Sequence, residues 1–132
     1  MKSHSTCVKV RYAETDQMGV VYHGNYAQYL EIARIDWLDA LGISYRKMEE
    51  EGVMLPVYEL KIKFKKSAKF DDRLTIVTQL KRKPGVRIEF TYEIFNQHDE
   101  LLTEAETSLI FMDMEKMKPM KCPAELLEKL GY

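Results

Sequence analysis

Cysteine, proline and glycine are scarce in this sequence, which contains two, four and six of them among 132 residues. The two cysteines, Cys7 and Cys122, lie near opposite ends of the chain and form neither a CxxC pair nor a disulfide framework. We therefore expect two reduced thiols, because disulfides persist mainly in oxidising compartments. The shortage of proline and glycine also argues against a disordered chain.

The chain also lacks a large net charge and any long apolar run. Its net charge of −1 gives no general reason to expect a nucleic acid or an anionic membrane as partner. No stretch approaches the roughly 20 apolar residues of a membrane-spanning helix, and residues 1–6 lack the apolar segment of a signal peptide. We therefore expect a cytoplasmic protein without a membrane span.

Several common catalytic and ligand-binding motifs are missing. The three histidines, His4, His23 and His98, do not have the spacing of metal ligands, so no metal site is predicted. The sequence has no glycine-rich phosphate loop, no GxSxG nucleophile elbow and no Cys-His pair.

Hydrophobic periodicity is present throughout and predicts one domain over residues 1–132. The chain has the length of one compact domain, and a hydrophobic content of 45% is enough to fill a core. A helical period predicts a long helix over residues 25–41 and a short one over residues 44–51. The apolar stripe of the long helix consists of Tyr26, Tyr29, Leu30, Ala33, Trp37 and Leu41.

Alternation of apolar and polar residues predicts five strands. They cover residues 7–13, 58–65, 74–80, 86–94 and 103–111. Because the connections between the last four are short, we expect these strands to be antiparallel neighbours. A terminal helix is predicted over residues 123–130. The pattern therefore favours an α+β fold in which a sheet packs on the long helix.

The loop before the long helix carries a carboxylate, Asp16. A helix N-terminus presents unpaired N–H groups and partial positive charge, and it can hold an oxyanion. An aspartate, normally ionised at pH 7, can attack an activated acyl carbon or activate a water. The alternative is that Asp16 only forms a turn or cap, as loop aspartates commonly do. The pattern permits acyl hydrolysis without requiring it.

A specific pattern surrounds this aspartate. It comprises Tyr12, Thr15-Asp16, Gly19, Val20-Val21-Tyr22-His23, Tyr26, Tyr29, Glu31, Ala33-Arg34, residues 68–72 and Leu74. It resembles the signature of the 4-hydroxybenzoyl-CoA thioesterase family, in its broad bacterial acyl-CoA thioesterase branch. The resemblance extends through about the whole chain.

The resemblance implies a hotdog fold, in which a five-stranded antiparallel sheet wraps around one long central helix. Asp16 would be the nucleophile or general base, and the backbone N–H of His23 would polarise the thioester carbonyl. Tyr22 and the His23 ring would shape the pocket, and His23 is a candidate for assisting proton transfer. An acyl-CoA would be hydrolysed to a carboxylic acid and CoA without a cofactor, coenzyme A being part of the substrate.

Sites of this family lie between two subunits, so the resemblance implies a homodimer, which we expect to form a homotetramer. Gly24 and Asn25 stand where relatives have more varied residues, and we expect them to contact the substrate and affect acyl preference. A different hotdog lineage places its carboxylate on the helix after a His-Gly pair, but the offset of Glu31 does not match. We interpret Glu31 as structural, since a salt-bridged or exposed helix glutamate is the common case.

A basic cluster brackets the Pro84-Gly85 turn. It consists of Lys81, Arg82, Lys83 and Arg87. These side chains suit the phosphates of coenzyme A, or else they form a charged hairpin tip that discourages aggregation. The row Lys61, Lys63 and Lys65 is interpreted as a solvated strand face.

Two other functions remain open from the sequence. A hydratase or dehydratase acting on acyl thioesters needs a histidine and a carboxylate, and His23 and Asp16 are both present. A non-catalytic module that binds acyl-CoA or an acyl-carrier protein needs only a groove between sheet and helix.

Overall fold

A long helix packs on one face of a five-stranded antiparallel sheet in the computed structural model, which describes residues 2–132. The helices are α1 (Tyr26–Ala40), α2 (Tyr45–Glu50) and α3 (Ala124–Lys129). The strands are β1 (Ser3–Lys9), β2 (Val53–Met54), β3 (Val57–Phe64), β4 (Arg73–Leu80), β5 (Arg87–Phe95), β6 (Leu101–Ile110), β7 (Met112–Asp113) and β8 (Lys118–Pro119).

Helix α1 buries the apolar stripe that the sequence predicts. Tyr29, Ala33 and Trp37 are fully buried, and the Trp37 ring meets Phe90 of β5 edge-on, with ring centroids 4.9 Å apart. The last residue of the predicted stripe, Leu41, is only partly buried because it caps the helix rather than continuing it. The helix is therefore the centre of the core.

The strand order of the main sheet is β1-β4-β5-β6-β3. Strands β4, β5 and β6 are consecutive neighbours, as predicted, but the prediction that β3 and β4 are neighbours is wrong. The connection of residues 65–72 leads from one edge strand, β3, to β4 on the far side of the sheet. It passes the start of α1, where the Ala68 N–H donates to the Tyr26 hydroxyl at 3.3 Å. A connection anchored on the helix in this way does not close a hairpin.

The first strand lies earlier than predicted. Strand β1 ends at Lys9, and residues Tyr12–Glu14 form a turn of 3-10 helix instead of continuing the strand. The reason is a local bond that an extended chain cannot make: Arg11 donates its N–H to the Glu14 carboxylate at 2.8 Å. The strand prediction over residues 7–13 is therefore wrong at both ends.

Edge strand β3 leaves its apolar side chains in solvent, although its alternation is the clearest in the sequence. Tyr58 is 61% exposed, Leu60 42% and Phe64 50%. In the part of the chain that the structure describes, β3 pairs only with β6. An uncovered edge with an apolar face is typical of a surface that another chain covers.

A second, three-stranded sheet of order β2-β7-β8 was not predicted from the sequence. Its strands have two residues each, too short for a period to be recognised. The short helices α2 and α3 lie within the predicted ranges, and the Ser44 hydroxyl caps α2 by accepting the Lys47 N–H at 3.2 Å.

Candidate active site

The segment that carries Asp16 is a tight turn closed by backbone hydrogen bonds. The Asp16 N–H donates to Val20 at 2.8 Å, and the Gly19 N–H donates back to the Asp16 carbonyl at 3.0 Å. Thr15 and Val21 pair as an antiparallel bridge at its base. Gly19 has a φ of +77°, which strains any other residue type. The turn is therefore ordered by its backbone.

The Asp16 side chain is exposed at the tip of this turn. Its Oδ1 accepts the Met18 N–H at 2.8 Å, a local Asx turn. Oδ2 accepts no hydrogen bond within residues 2–132. The turn-forming role weighed from the sequence is thus present, but it occupies only one carboxylate oxygen. Asp16 lines neither the groove beside α1 nor the groove across β3, β5 and β6.

The start of α1 presents free backbone amides. A turn of 3-10 helix, His23–Asn25, leads into α1, and the Asn25 N–H donates to the Tyr22 carbonyl at 2.9 Å. The N–H groups of His23 and Gly24 donate to no acceptor in the described chain. Two amides with no protein partner at a helix start can hold a negatively charged oxygen.

Aromatic rings surround these amides. The Tyr22 ring is half exposed and lies 4.5 Å from the His23 ring, centroid to centroid. Phe64, from the end of β3, contacts both His23 and Tyr26, at centroid distances of 6.4 and 5.1 Å. The rings of Tyr22 and His23 thus lie together beside the free amides, next to Phe64, which the sequence did not single out.

Gly24 is needed for the position of the Tyr22 ring. A Cβ at residue 24 would lie 2.5 Å from Tyr22 Cε2, closer than real Cβ atoms approach. Asn25, in contrast, uses its side chain internally, because Nδ2 donates to the Glu14 carbonyl at 2.8 Å. The two residues predicted to contact substrate therefore both shape the loop around the amides.

Glu14 has a structural role that sequence reasoning missed. Its side chain is buried and accepts from the Arg11 N–H, the Arg11 guanidinium and the Tyr29 hydroxyl. Burial acts to raise the pKa of Glu14, but these hydrogen bonds and the Arg11 charge outweigh it, so the pKa is lowered. Burial and the bond to Glu14 raise the pKa of Tyr29. The spacing of Arg11 and Glu14 by three residues was the available signal, but Arg11 was assigned to the predicted strand and Glu14 to the loop after it.

The basic cluster lies far from Asp16 within one chain. Residue 79, next to the cluster, pairs with Ser3, whereas Arg73 at the other end of β4 pairs with Lys9, which precedes the loop. The strand between these two residues is about 20 Å long at ~3.3 Å per residue.

Most side chains of the cluster already have neighbours. Lys81 lies 3.6 Å from Glu106, Arg82 lies 3.2 Å from Glu89, and Arg87 stacks 4.9 Å above the Tyr58 ring. Lys83 lies 5.7 Å from the ring of Tyr132. The structure therefore does not bring the cluster to Asp16 within one chain.

An apolar groove of about 330 Å³ runs beside the second half of α1. It is lined by Glu31, Arg34, Ile35, Leu38, Tyr45, Leu55, Pro56, Val57, Ile88, Phe90 and Leu109. It reaches the Val57 end of β3, opposite the Phe64 end that contacts His23. The groove and the free amides thus lie at the two ends of the same edge strand.

Three further features of the described residues concern metal ions, membranes and thiols. Within residues 2–132, no group of three or more His, Cys, Asp or Glu side chains is arranged to hold a metal ion. None of the helices in the same range could span a lipid bilayer. Cys7 and Cys122 are both free thiols.

Known thioesterases resemble this chain in sequence and in fold. The chain is 38% identical over 114 residues to the putative acyl-CoA thioesterase YneP of Bacillus subtilis, covering 86% of this chain and 83% of that one. It is 34% identical to the acyl-CoA thioester hydrolase YbgC of Escherichia coli, over 91% of this chain and 90% of that one. A crystal structure of DHNA-CoA thioesterase from Staphylococcus aureus superposes with a TM-score of 0.94 at 37% identity, over 99% of this chain and 90% of that one.

The hotdog fold and the family resemblance expected from the sequence are thereby confirmed. The model of the Thioesterase-like superfamily matches residues 10–130, which include the Asp16 turn, all of α1 and the whole groove. On this evidence the chain belongs to the Thioesterase-like superfamily.

Proposed function

We propose that this chain hydrolyses acyl-coenzyme A thioesters at a site built from Asp16 and the free amides of His23 and Gly24. The chain is a thioester hydrolase of its superfamily, and its relatives carry names of acyl-CoA thioesterases. The observation that carries the mechanistic proposal is the pair of unpartnered N–H groups that follow an aspartate with a free oxygen.

The proposed chemistry uses the amides for the carbonyl oxygen and Asp16 for the attack. As a nucleophile, Asp16 forms a bond to the acyl carbon, the C–S bond breaks, and the CoA thiolate leaves and takes up a proton. Water then cleaves the resulting anhydride. As a general base, Asp16 instead takes a proton from the attacking water. In both routes the negative charge on the acyl oxygen faces the start of α1.

We propose that the site is completed by a second copy of the chain. The outer edge of β3 is unpaired within the described residues, and its apolar face is exposed. Antiparallel pairing of β3 with its own copy would bury both. Such pairing about a twofold axis sets the Val57 end of one strand beside the Phe64 end of the other.

This pairing would join features that one chain holds apart. The groove at the Val57 end of one protomer would open beside the His23 amides and Asp16 turn of its partner. Arg87, which stacks on Tyr58 at the same end of β3, would come close to that composite site. The cluster from Lys81 to Arg87 is thereby kept as our proposal for the CoA phosphates, and the groove as the place of the acyl group.

Several expectations from the sequence stay predictions. These are the homotetramer, the cytoplasmic location, the single domain over residues 1–132, and an acyl-carrier protein as an alternative carrier. The proposed mechanism uses no cofactor, since coenzyme A enters as part of the substrate. His23 assistance in proton transfer also stays a prediction.

A thiol-release assay tests the proposal. The purified protein is incubated with short, long and aromatic acyl-CoAs and with one acyl-carrier protein thioester, with and without the change Asp16→Asn. We expect release of thiol from at least one substrate by the wild type and its loss in the variant. Hydration of an enoyl thioester without thiol release would favour the hydratase, and retention of ligand without turnover would favour the binding module.

A further inference from the structure

The Glu14 carboxylate joins two separate elements of the fold. Oε1 accepts the Arg11 N–H at 2.8 Å and the Tyr29 hydroxyl of α1 at 2.9 Å. Oε2 accepts the Arg11 Nε at 3.2 Å and Nη2 at 3.1 Å. The residue is 8% exposed, so the carboxylate lies between the end of β1 and the first turns of α1.

The backbone of Glu14 makes a second connection, to the helix start. Its carbonyl oxygen accepts the Tyr22 N–H at 2.9 Å and the Asn25 Nδ2 at 2.8 Å. Tyr22 and Asn25 flank the two residues whose amides are free. Asp16 follows Glu14 by only two residues. Glu14 therefore connects the two parts of the proposed site, the Asp16 turn and the free amides of His23 and Gly24.

Glu14 itself is not available for chemistry. A carboxylate offers about four lone-pair sites, and the two oxygens of Glu14 together accept four hydrogen bonds. Its charge is paired with the Arg11 guanidinium at 3.1 Å, so it does not act as a second free anion beside Asp16. Any effect on the reaction must therefore pass through the position of other groups.

We infer that Glu14 is a positioning residue, which sets the distance between the Asp16 carboxylate and the amides of His23 and Gly24; this inference rests on the proposed function. The Asp16 side chain is exposed and makes one local bond, so its position depends on the turn that carries it. Glu14 anchors that turn to α1 through Tyr29. A misplacement of reacting groups by about 1 Å can cost roughly a hundredfold in rate.

The variant Glu14→Gln tests this inference. An amide oxygen can still accept from Arg11 N–H and Tyr29, but an amide nitrogen cannot accept from the Arg11 guanidinium. We expect kcat to fall about tenfold or more, with KM changed less than about twofold, because Glu14 does not touch the substrate. Tyr29→Phe removes only one donor, and we expect a smaller loss of kcat in the same direction from this milder change.

A matched control is Asp36→Asn. Asp36 also ties β1 to α1, since its Oδ2 accepts from Thr6 at 2.7 Å and lies 2.8 Å from His4 Nε2, but it is remote from the Asp16 turn in sequence. A purely structural role for Glu14 predicts that both variants lose thermal stability and kcat together. Our inference predicts wild-type kcat for Asp36→Asn at a temperature where every protein is folded.

Hydrogen exchange separates failure of this inference from failure of the proposed function. The amides of Asp16, Tyr22 and Asn25 are bonded in the wild type. We expect them to exchange faster in Glu14→Gln and at wild-type rates in Asp36→Asn. Unchanged exchange and kcat in Glu14→Gln, or an equal loss of kcat in both variants, overturns the inference. A wild type that releases no thiol overturns the proposed function, whatever the exchange rates show.

Discussion

The Tyr22 ring occupies the space into which a side chain at Gly24 would project. The two would meet at 2.5 Å, from a Cβ on residue 24 to Tyr22 Cε2. The ring is 50% exposed and therefore free to swing away. The Tyr22 ring and a side chain at residue 24 would therefore occupy the same space beside the free amides. The size of residue 24 thus determines the position of the Tyr22 ring.

The change Gly24→Ala should therefore alter the site more than the fold. We expect the Tyr22 ring to move, and KM and the ranking of acyl-CoAs to change. The free energy of unfolding should fall by less than about 1 kcal/mol, since no backbone strain arises and only an exposed ring is displaced. Kinetics over the acyl-CoA panel and urea unfolding check this.

Gly85→Ala is the control for stability, because nothing lies within 4 Å of a Cβ at that residue. An unchanged acyl ranking in Gly24→Ala would show that the Tyr22 ring does not line the acyl site.

The edge strand β3 offers a test of the composite site. Leu60→Glu places a charge on a side chain that is 42% exposed in the single chain, so the fold itself should tolerate it. We expect a dimer for the wild type, a monomer for the variant, and loss of thiol release with the dimer. Sedimentation equilibrium and the thiol assay measure the two effects.

Lys61→Ser, on the other face of β3, is the control and should remain dimeric and active. A Leu60→Glu variant that is monomeric yet fully active would remove the second copy from the site.

Local periodicity explains how much of the fold the sequence could predict. The stripe from Tyr26 to Trp37 and the alternation around Ile76 and Phe90 correspond to buried faces of one helix and two strands. The same kind of alternation around Leu60 belongs to a face that is exposed in one chain. Hydrophobic periodicity shows that a face of a strand or helix is apolar, but it does not show what covers that face.

The pairing of strands that are distant in the sequence could not be predicted from local periodicity. Nothing near residue 57 indicates that it pairs with Leu109, so the place of β3 at the sheet edge was missed. The catalytic candidate Asp16 came from a resemblance to a known loop. The tie between Glu14 and Tyr29 joins residues 15 positions apart, and only the folded chain shows it.

The carboxyl groups with lowered pKa predict how stability depends on pH. Burial acts to raise the pKa of Glu14, but hydrogen bonds from Arg11 and Tyr29 outweigh it, so that this pKa is lowered. A hydrogen bond from the Thr6 hydroxyl is the main cause of the lowered pKa of Asp36. The Lys66 hydrogen bond lowers the pKa of Glu100 to about 2. Each group binds fewer protons folded than unfolded. Its contribution is therefore present above the unfolded pKa of about 4 and lost as pH falls through the folded pKa.

We therefore expect the free energy of unfolding to fall as pH is lowered from about 4.5 to 2. Urea unfolding at a series of pH values measures this. Glu14→Gln should have a shallower slope in this range, because the variant lacks the carboxyl group whose pKa is lowered on folding. Equal slopes for wild type and Glu14→Gln would contradict the assignment for Glu14.

Replacing either of two buried threonines, Thr78 or Thr107, by valine should change the free energy of unfolding in opposite directions. Thr78 Oγ1 is buried and has no hydrogen-bond partner among residues 2–132, whereas Thr107 Oγ1 lies 2.7 Å from the Tyr92 hydroxyl. Thr78→Val should raise the free energy of unfolding by about 1 kcal/mol, because an unsatisfied hydroxyl is removed, and Thr107→Val should lower it by a similar amount. Urea unfolding of both variants checks the signs. A loss of stability in Thr78→Val would mean that its hydroxyl has a partner.

The most direct test of the account is kcat for thiol release from the best acyl-CoA, compared between wild type, Asp16→Asn and the exposed control Asp39→Asn. A carboxylate that attacks the acyl carbon or activates water is worth about a hundredfold or more in rate. We predict a loss of at least that size in Asp16→Asn and none in Asp39→Asn, with all three proteins folded and dimeric. Equal rates for wild type and Asp16→Asn would contradict the account.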